Sequence, residues 1–230
     1  MKHLKYFENR HHNNEDERRI INLSYHENEI TLPIFKKFLD DHPDIDVNIQ
    51  EDDRGWTPLL ISINNCGFEF GKILLDRGAD PNIFSDTPEL GRSPYDNDTV
   101  MMKMIYQADI IQHQETDFQN KFWNFLDMLI PFTDLNKQTN IFKRTPLIKV
   151  AESVEGPNDI SSGVSTINTE VALKLMRKFL KEEPILQIKD NKGYDFLDHL
   201  IKKSNYDIIK KLCNEFKSAD IFYNSKKFNI

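Results

Sequence analysis

The residues of this 230-residue chain that could do chemistry are few and scattered. His11, His12 and Glu15 put two imidazoles and a carboxylate within five positions, which could hold a metal ion, but the surrounding ENRHHNNEDERR is polar throughout and reads as a solvated N-terminus. His199 follows Asp198 as a base follows an acid in a catalytic pair, yet in this setting it reads as a surface or capping residue on a short helix. Cys66 and Cys213 lie far apart, with no CxxC or Cys/His cluster around either, and read as structural thiols. Glu115, Asp117, Glu152, Glu155 and Asp159 could offer carboxylates, but no spacing among them suggests two working as a pair. Phosphate-binding loops, GxSxG, HExxH and EF-hand loops are absent from the sequence. Neither catalysis, a metal nor a cofactor is expected.

Charge narrows the partners. The formal net charge is −7 and the pI about 5.5, which argues against nucleic acid, because phosphate contacts need clustered Lys and Arg. Residues 1–115 carry 12 basic and 22 acidic side chains and residues 116–230 carry 18 and 15, so one half is acidic and the other mildly basic. The densest acidic run, Asp40 to Asp53, reads as a solvated loop edge. No apolar run approaches the roughly 20 residues that span a bilayer, and the first residues lack a signal-peptide core, so a cytoplasmic, soluble chain is expected.

What would position any site is a helical repeat. In residues 52–84, DDRGWTPLLISINNCGFEFGKILLDRGADPNIF, Thr57 is a good N-cap and Pro58 suits a first helical turn. Leu59, Ile63, Phe70, Ile73 and Leu74 supply apolar positions for two short helices, and Gly78 can end the second in the left-handed conformation. One such pair cannot bury its own apolar face and must stack on neighbours. This stretch resembles one complete ankyrin repeat: Asp52, Gly55, Thr57, Pro58, Leu59, Glu69, Leu74, Leu75, Gly78, Ala79, Asp80 and Asn82 all stand where that family's pattern places them.

Weaker copies flank it. Residues 190–213 keep Asp190, Gly193 and Leu197, with Asp195 and Phe196 replacing Thr-Pro. Residues 140–151 keep Thr145, Pro146, Leu147 and Ala151, with Lys143 where Gly is usual. Residues 88–96 keep Gly91, Ser93 and Pro94, and residues 39–48 resemble the end of a repeat whose first helix is 15–26. The resemblance implies an all-α solenoid of about five stacked helix-turn-helix repeats, at about 15–50, 52–84, 88–138, 140–189 and 190–217. It leaves a flexible N-terminus at 1–14 and a tail at 218–230. The spacings Ser93 to Thr145 and Thr145 to Asp195, 52 and 50 residues, are overlong, and place inter-helix insertions near 109–117 and 153–168, side by side on one edge. The aromatic run Phe118, Phe122, Trp123, Phe125 reads as core of the third repeat.

Family resemblance also implies a function. Ankyrin repeats bind other proteins on a concave face formed by the turn tips and the first helices. Carried over residue by residue, the contact positions are Asp53, Arg54 and Trp56, then Arg92, Arg144, and finally Asn191, Lys192 and Tyr194. Aromatic and Arg side chains in such a row have the composition of interface hot spots. The expected module is a monomer that binds another protein. The 25 Ile and 21 Asn fit an AT-rich genome, and degenerate repeats of this kind are common among effectors that intracellular bacteria deliver into a host, so a host protein is the first candidate partner. The alternatives are a scaffold or regulatory subunit in its own cell, or an enzyme with a site on the inserted edge.

Overall fold

The computed structural model describes residues 15–51, 54–85, 98–154 and 167–228. Its helices follow one another in pairs: α1 (Glu15–Ser24) and α2 (Thr31–Asp41), α3 (Pro58–Asn64) and α4 (Phe68–Asp76), α5 (Val100–Ile111) and α6 (Thr116–Leu129), α7 (Pro146–Ser153) and α8 (Thr169–Leu180), α9 (Phe196–Lys202) and α10 (Tyr206–Glu215). A further helix, α11 (Lys217–Phe228), follows. Among the described residues the only β-pairing is a single bridge between Val154 and Ile167, and no helix is long and apolar enough to cross a membrane. The chain divides into two compact units, residues 1–104 with 120–133, and residues 105–119 with 134–230.

In the first unit α1 packs on α3 and α2 on α4, so like helices stack on like. Helix α3 is apolar almost all round, with Leu59, Leu60, Ile61 and Ile63 at most 1% exposed, as a helix enclosed on several sides must be. Phe35 of α2 stacks on Phe70 of α4 with ring centroids 4.2 Å apart, and Phe68 meets the rings of Phe122 and Phe125 at 5.9 and 5.8 Å. Phe125 approaches because Gly71 has no side chain: a Cβ there would stand 2.7 Å from a Phe125 ring carbon and 2.9 Å from Ile63 Cδ1. Polar contacts tie the first pair to the second. The Glu27 carboxylate, from the α1–α2 connection, accepts from Phe70 N–H at 2.6 Å and so caps α4 from outside, and Arg77 donates to the Leu39 carbonyl at 2.6 Å and pairs with Asp40.

The second unit repeats the scheme. Helix α7 packs on α9 and α8 on α10, with Arg177 on α8 bonded at both ends of its fork to the Glu215 carboxylate, 2.6 and 2.7 Å away. The cap residues read from the sequence do their work: the hydroxyls of Thr57 and Thr145 accept from Leu60 and Ile148 N–H, and Asp195 forms a capping box with Asp198.

Two expectations are corrected. Ser93, where the third repeat's first helix is expected to start, lies outside the described residues; helix α5 begins at Val100, with the buried Thr99 hydroxyl 3.5 Å from Met102 N. The third pair is not a standard pair with a loop inserted near 109–117. Its helices are themselves long, with 12 and 14 residues against 7 and 9 in α3 and α4, and only 112–115 separate them. Val100, Met101, Met102, Met104, Ile105 and Ala108 are buried, which explains why the added length is helical. The 153–168 segment does lie between paired helices; residues 155–166 are outside the described residues, and Ile167 N–H returns to the Ser153 carbonyl at 2.9 Å. Its far end meets the corner of the third pair, where Asn168 N–H donates to Gln112 Oε1 at 2.9 Å. Finally, the expected tail is helix α11, whose Ala219 is fully buried and whose Phe222 ring stacks on Phe196 with centroids 6.3 Å apart and planes 25° from parallel.

Among the described residues seven have positive φ, and they fall on three recurring positions: Gly55, Lys143 and Gly193 two residues before a cap; Cys66 and Ser204 between helices; Gly78 and Glu183 after a second helix. A left-handed conformation costs a residue with a Cβ roughly 1–2 kcal/mol. Lys143→Gly is therefore expected to raise stability by about 0.5–1 kcal/mol once the greater freedom of Gly in the unfolded chain is subtracted. Gly71→Ala, which would favour an ordinary helix, is expected to cost about 1–3 kcal/mol through overpacking against Phe125. Urea melts of both variants check the two signs together.

Candidate functional site

The turns that precede α3, α7 and α9 hold those of the residues singled out for binding that lie among the described ones. They are fixed from below by side-chain amides. Gln50 Nε2 donates to the Gly55 carbonyl of its own turn at 2.6 Å and to the Phe84 carbonyl of the following segment at 2.8 Å. Gln138 repeats the arrangement with the Lys143 and Lys189 carbonyls, at the same 2.6 and 2.8 Å. A second recurring element is Asp-x-Asn: the carboxylates of Asp46, Asp80 and Asp134 each accept from the N–H of the Asn two residues on, Asn48, Asn82 and Asn136. Those amides reach onward, Asn48 to Asp80 N–H at 2.7 Å, Asn82 to the Phe132 carbonyl at 2.8 Å and Asn136 to Ile185 N–H at 2.7 Å.

In the first unit Trp56 is half-buried next to the buried cap Thr57. The Arg54 guanidinium lies 4.8 Å from the centre of its ring and the Lys103 ammonium 5.2 Å, so the indole face is set against two cations. Lys103 also stands 3.5 Å from the Asp98 carboxylate. Asp53 and Arg92 lie outside the described residues.

In the second unit Tyr194 occupies the same position relative to its cap, 37% exposed, with Lys202 Nζ 5.1 Å from its ring centre and the His199 ring edge-on at 5.7 Å. Asn191 and Lys192 are exposed, and Asn191 ties this turn to the previous one through the Phe142 and Ile141 carbonyls. Arg144 is set differently. Its fork closes on Glu152 at 2.5 and 2.7 Å and its guanidinium covers the Phe142 ring, leaving its side chain 16% exposed. It serves the fold more than the surface.

His199 is neither a surface residue nor the partner of Asp198. It is buried, and its Nε2 lies 3.0 Å from Asp190 Oδ2, while Asp198 belongs to the capping box of α9. Burial alone would raise the Asp190 pKa. It is outweighed by the N–H donors of Tyr194 and Lys192 and by His199, which hold the carboxyl below its ordinary 3.8.

Of the metal candidates, His11 and His12 lie outside the described residues and Glu15 opens α1; no group of three or more metal-capable side chains occurs among the described residues. An open cavity of about 380 Å³ runs along α1 past Arg18, Arg19 and His26. Cys66 and Cys213 are half-buried thiols, both raised in pKa by burial, and are therefore weak nucleophiles. Glu155 and Asp159 fall outside the described residues, and Glu152 is committed to Arg144.

Lys103 and Lys202, which cover the two aromatic rings, were not identified from the sequence. Lys202 was discoverable, since it stands eight residues, about two helical turns, after Tyr194. Gln50 and Gln138 also carried a signal, because each precedes its D-x-x-G-like turn by the same interval. Residues 54–86 match the family model described as Ankyrin repeat. No curated protein matches the chain.

A lowered carboxyl pKa contributes stability that is present above the unfolded-state value and is lost as pH falls through the folded one. Asp190→Asn is expected to lower stability by about 1–3 kcal/mol near neutral pH. The gap to wild type should narrow as pH drops below about 4; thermal melts across pH 2–7 read it directly.

Proposed function

We propose that this chain, which carries an ankyrin repeat over residues 54–86, is a protein-binding module that docks partners on its turn tips, with Trp56 as the principal anchor in the first unit and Tyr194 in the second. The observation that supports this reading is the recurrence of one arrangement in the two units. An aromatic ring, half-buried at Trp56 and exposed at Tyr194, precedes a buried cap, its face is set against a lysine (Lys103 of α5 for Trp56, Lys202 of α9 for Tyr194), and its carbonyl accepts an N–H from its own turn. Rings held in place before binding lose little conformational freedom on docking, which is the condition for a strong anchor.

Arg54, Asn191 and Lys192 complete the contact set, with Asp53 and Arg92 as further contacts from the sequence pattern. Arg144 acts mainly by supporting the turn. No catalytic role is assigned to any residue, and neither nucleic acid nor a lipid bilayer is the partner.

Affinity capture with the whole chain tests the reading. Trp56→Ala combined with Tyr194→Ala should melt like wild type and lose at least tenfold in partner recovery. Equal recovery by both proteins would move the site elsewhere, first to the edge where Gln112 meets Asn168. The lysate that yields the partner separates an effector acting on a host protein from a scaffold in its own cell.

A further inference from the structure

Within the second unit two turns lie side by side, residues 138–144 and 187–194. Gln138 Nε2 reaches the Lys189 carbonyl at 2.8 Å, Asn191 N–H the Phe142 carbonyl at 3.0 Å, and Asn191 Nδ2 the Ile141 carbonyl at 3.2 Å. These turns carry Lys143, Lys189 and Lys192, and Lys202 joins them through its contact with Tyr194. All four lysines are exposed, and none of the four forms an ion pair with another of the described residues. Elsewhere in the same unit the two arginines Arg144 and Arg177 are each neutralised by a glutamate.

The lack of an exposed carboxylate in these two turns has a structural origin. The only carboxylate in the two turns is Asp190, and it is buried with its oxygens occupied by the N–H groups of Lys192 and Tyr194 and by His199. Like charges gathered at one place repel each other, so an opposite charge brought by a partner is favoured there. Two apolar side chains stand among the lysines, Ile141 at 54% and Tyr194 at 37% exposure.

We infer that this face docks an acidic protein segment, with carboxylates against Lys143, Lys189, Lys192 and Lys202 and an aliphatic or aromatic side chain against Ile141 and Tyr194. The inference rests on the reading of the turn tips as the docking face and adds the chemistry of the partner. A protein segment fits better than nucleic acid. The chain as a whole carries −7, which opposes a polyanion of uniform charge, and an exposed Ile offers contact to an apolar side chain that a phosphate backbone does not use.

The test is fluorescence anisotropy on the whole chain with a labelled twelve-residue peptide of alternating Glu and Leu with one central Phe. Its Lys-for-Glu counterpart and a twelve-nucleotide single-stranded DNA serve as comparisons. The acidic peptide should bind at least tenfold tighter than either and weaken at least fivefold between 50 and 300 mM salt. Lys189→Glu with Lys192→Glu should lose at least tenfold, while Lys210→Glu with Lys211→Glu on α10, which changes net charge equally, should lose less than twofold. If the first double variant melts early, Lys192→Ala supplies the comparison.

Equal binding of the basic peptide, tighter binding of the DNA, or equal losses in the two double variants would each overturn the inference. Failure here with capture still dependent on Tyr194 would reject the acidic chemistry and keep the docking face. Failure of both would reject the face.

Discussion

A short amphipathic helix pair is unstable alone, because the area it buries within itself does not offset the ordering of its chain. The contact that makes stacking productive in this protein is the amide that serves two turns at once. Gln50 and Gln138 each close their own turn and take hold of the segment that follows, at equal distances in two different units. The turns before Thr57 and Thr145 are closed by that bond, and the turn that carries Lys189 is held by it from its neighbour. A turn held from below presents its outer side chains in a defined direction, and a binding surface of this kind is formed before any partner arrives.

The departures from the repeat pattern become intelligible on this basis. Positive φ recurs at fixed places whether or not glycine is there, at Lys143, Cys66, Ser204 and Glu183 as at Gly55, Gly78 and Gly193. Neighbouring turns and helices over-determine the backbone, so the conformation survives the loss of the residue that suits it best. Loss of Asp-x-Asn after α8 shows the other outcome. Ile185 stands where the second repeat has Asp80, keeps the bond to Asn136, and exposes 57% of its side chain instead of closing a local turn.

Much of this was legible from residue types. Thr57, Thr145 and Asp195 announced helix starts, Pro58 and Pro146 agreed, and Cys66 and Lys143 were recognisable as occupants of glycine positions. Legibility failed where a local signal competed with burial. The overlong third repeat reads as a loop inserted near 109–117, yet α5 runs on to Ile111 and α6 starts at Thr116, because Val100, Met101, Met104, Ile105 and Ala108 can be enclosed. His199 looked like a surface residue next to Asp198, because nothing in sequence order shows that Asp190, nine positions earlier, folds beneath it. The last residues read as a fraying end because Ala219 and Phe222 are sparse apolar signals that acquire meaning only against α10 and Phe196. For the docking surface, the aromatic positions at the turn tips were readable from the repeat pattern. The lysines that cover them come from helices whose orientation requires the fold.

The account depends on turns that are ordered before binding, and amide hydrogen exchange on the free chain tests this most directly. Asn191 N–H, bonded to the Phe142 carbonyl, and Glu51 N–H, bonded to the Trp56 carbonyl, should exchange nearly as slowly as the amides inside α7 and α9. Protection confined to the helices, with both turn amides exchanging at the rate of an unfolded chain, would contradict the account, because the tips would then have no fixed surface to offer.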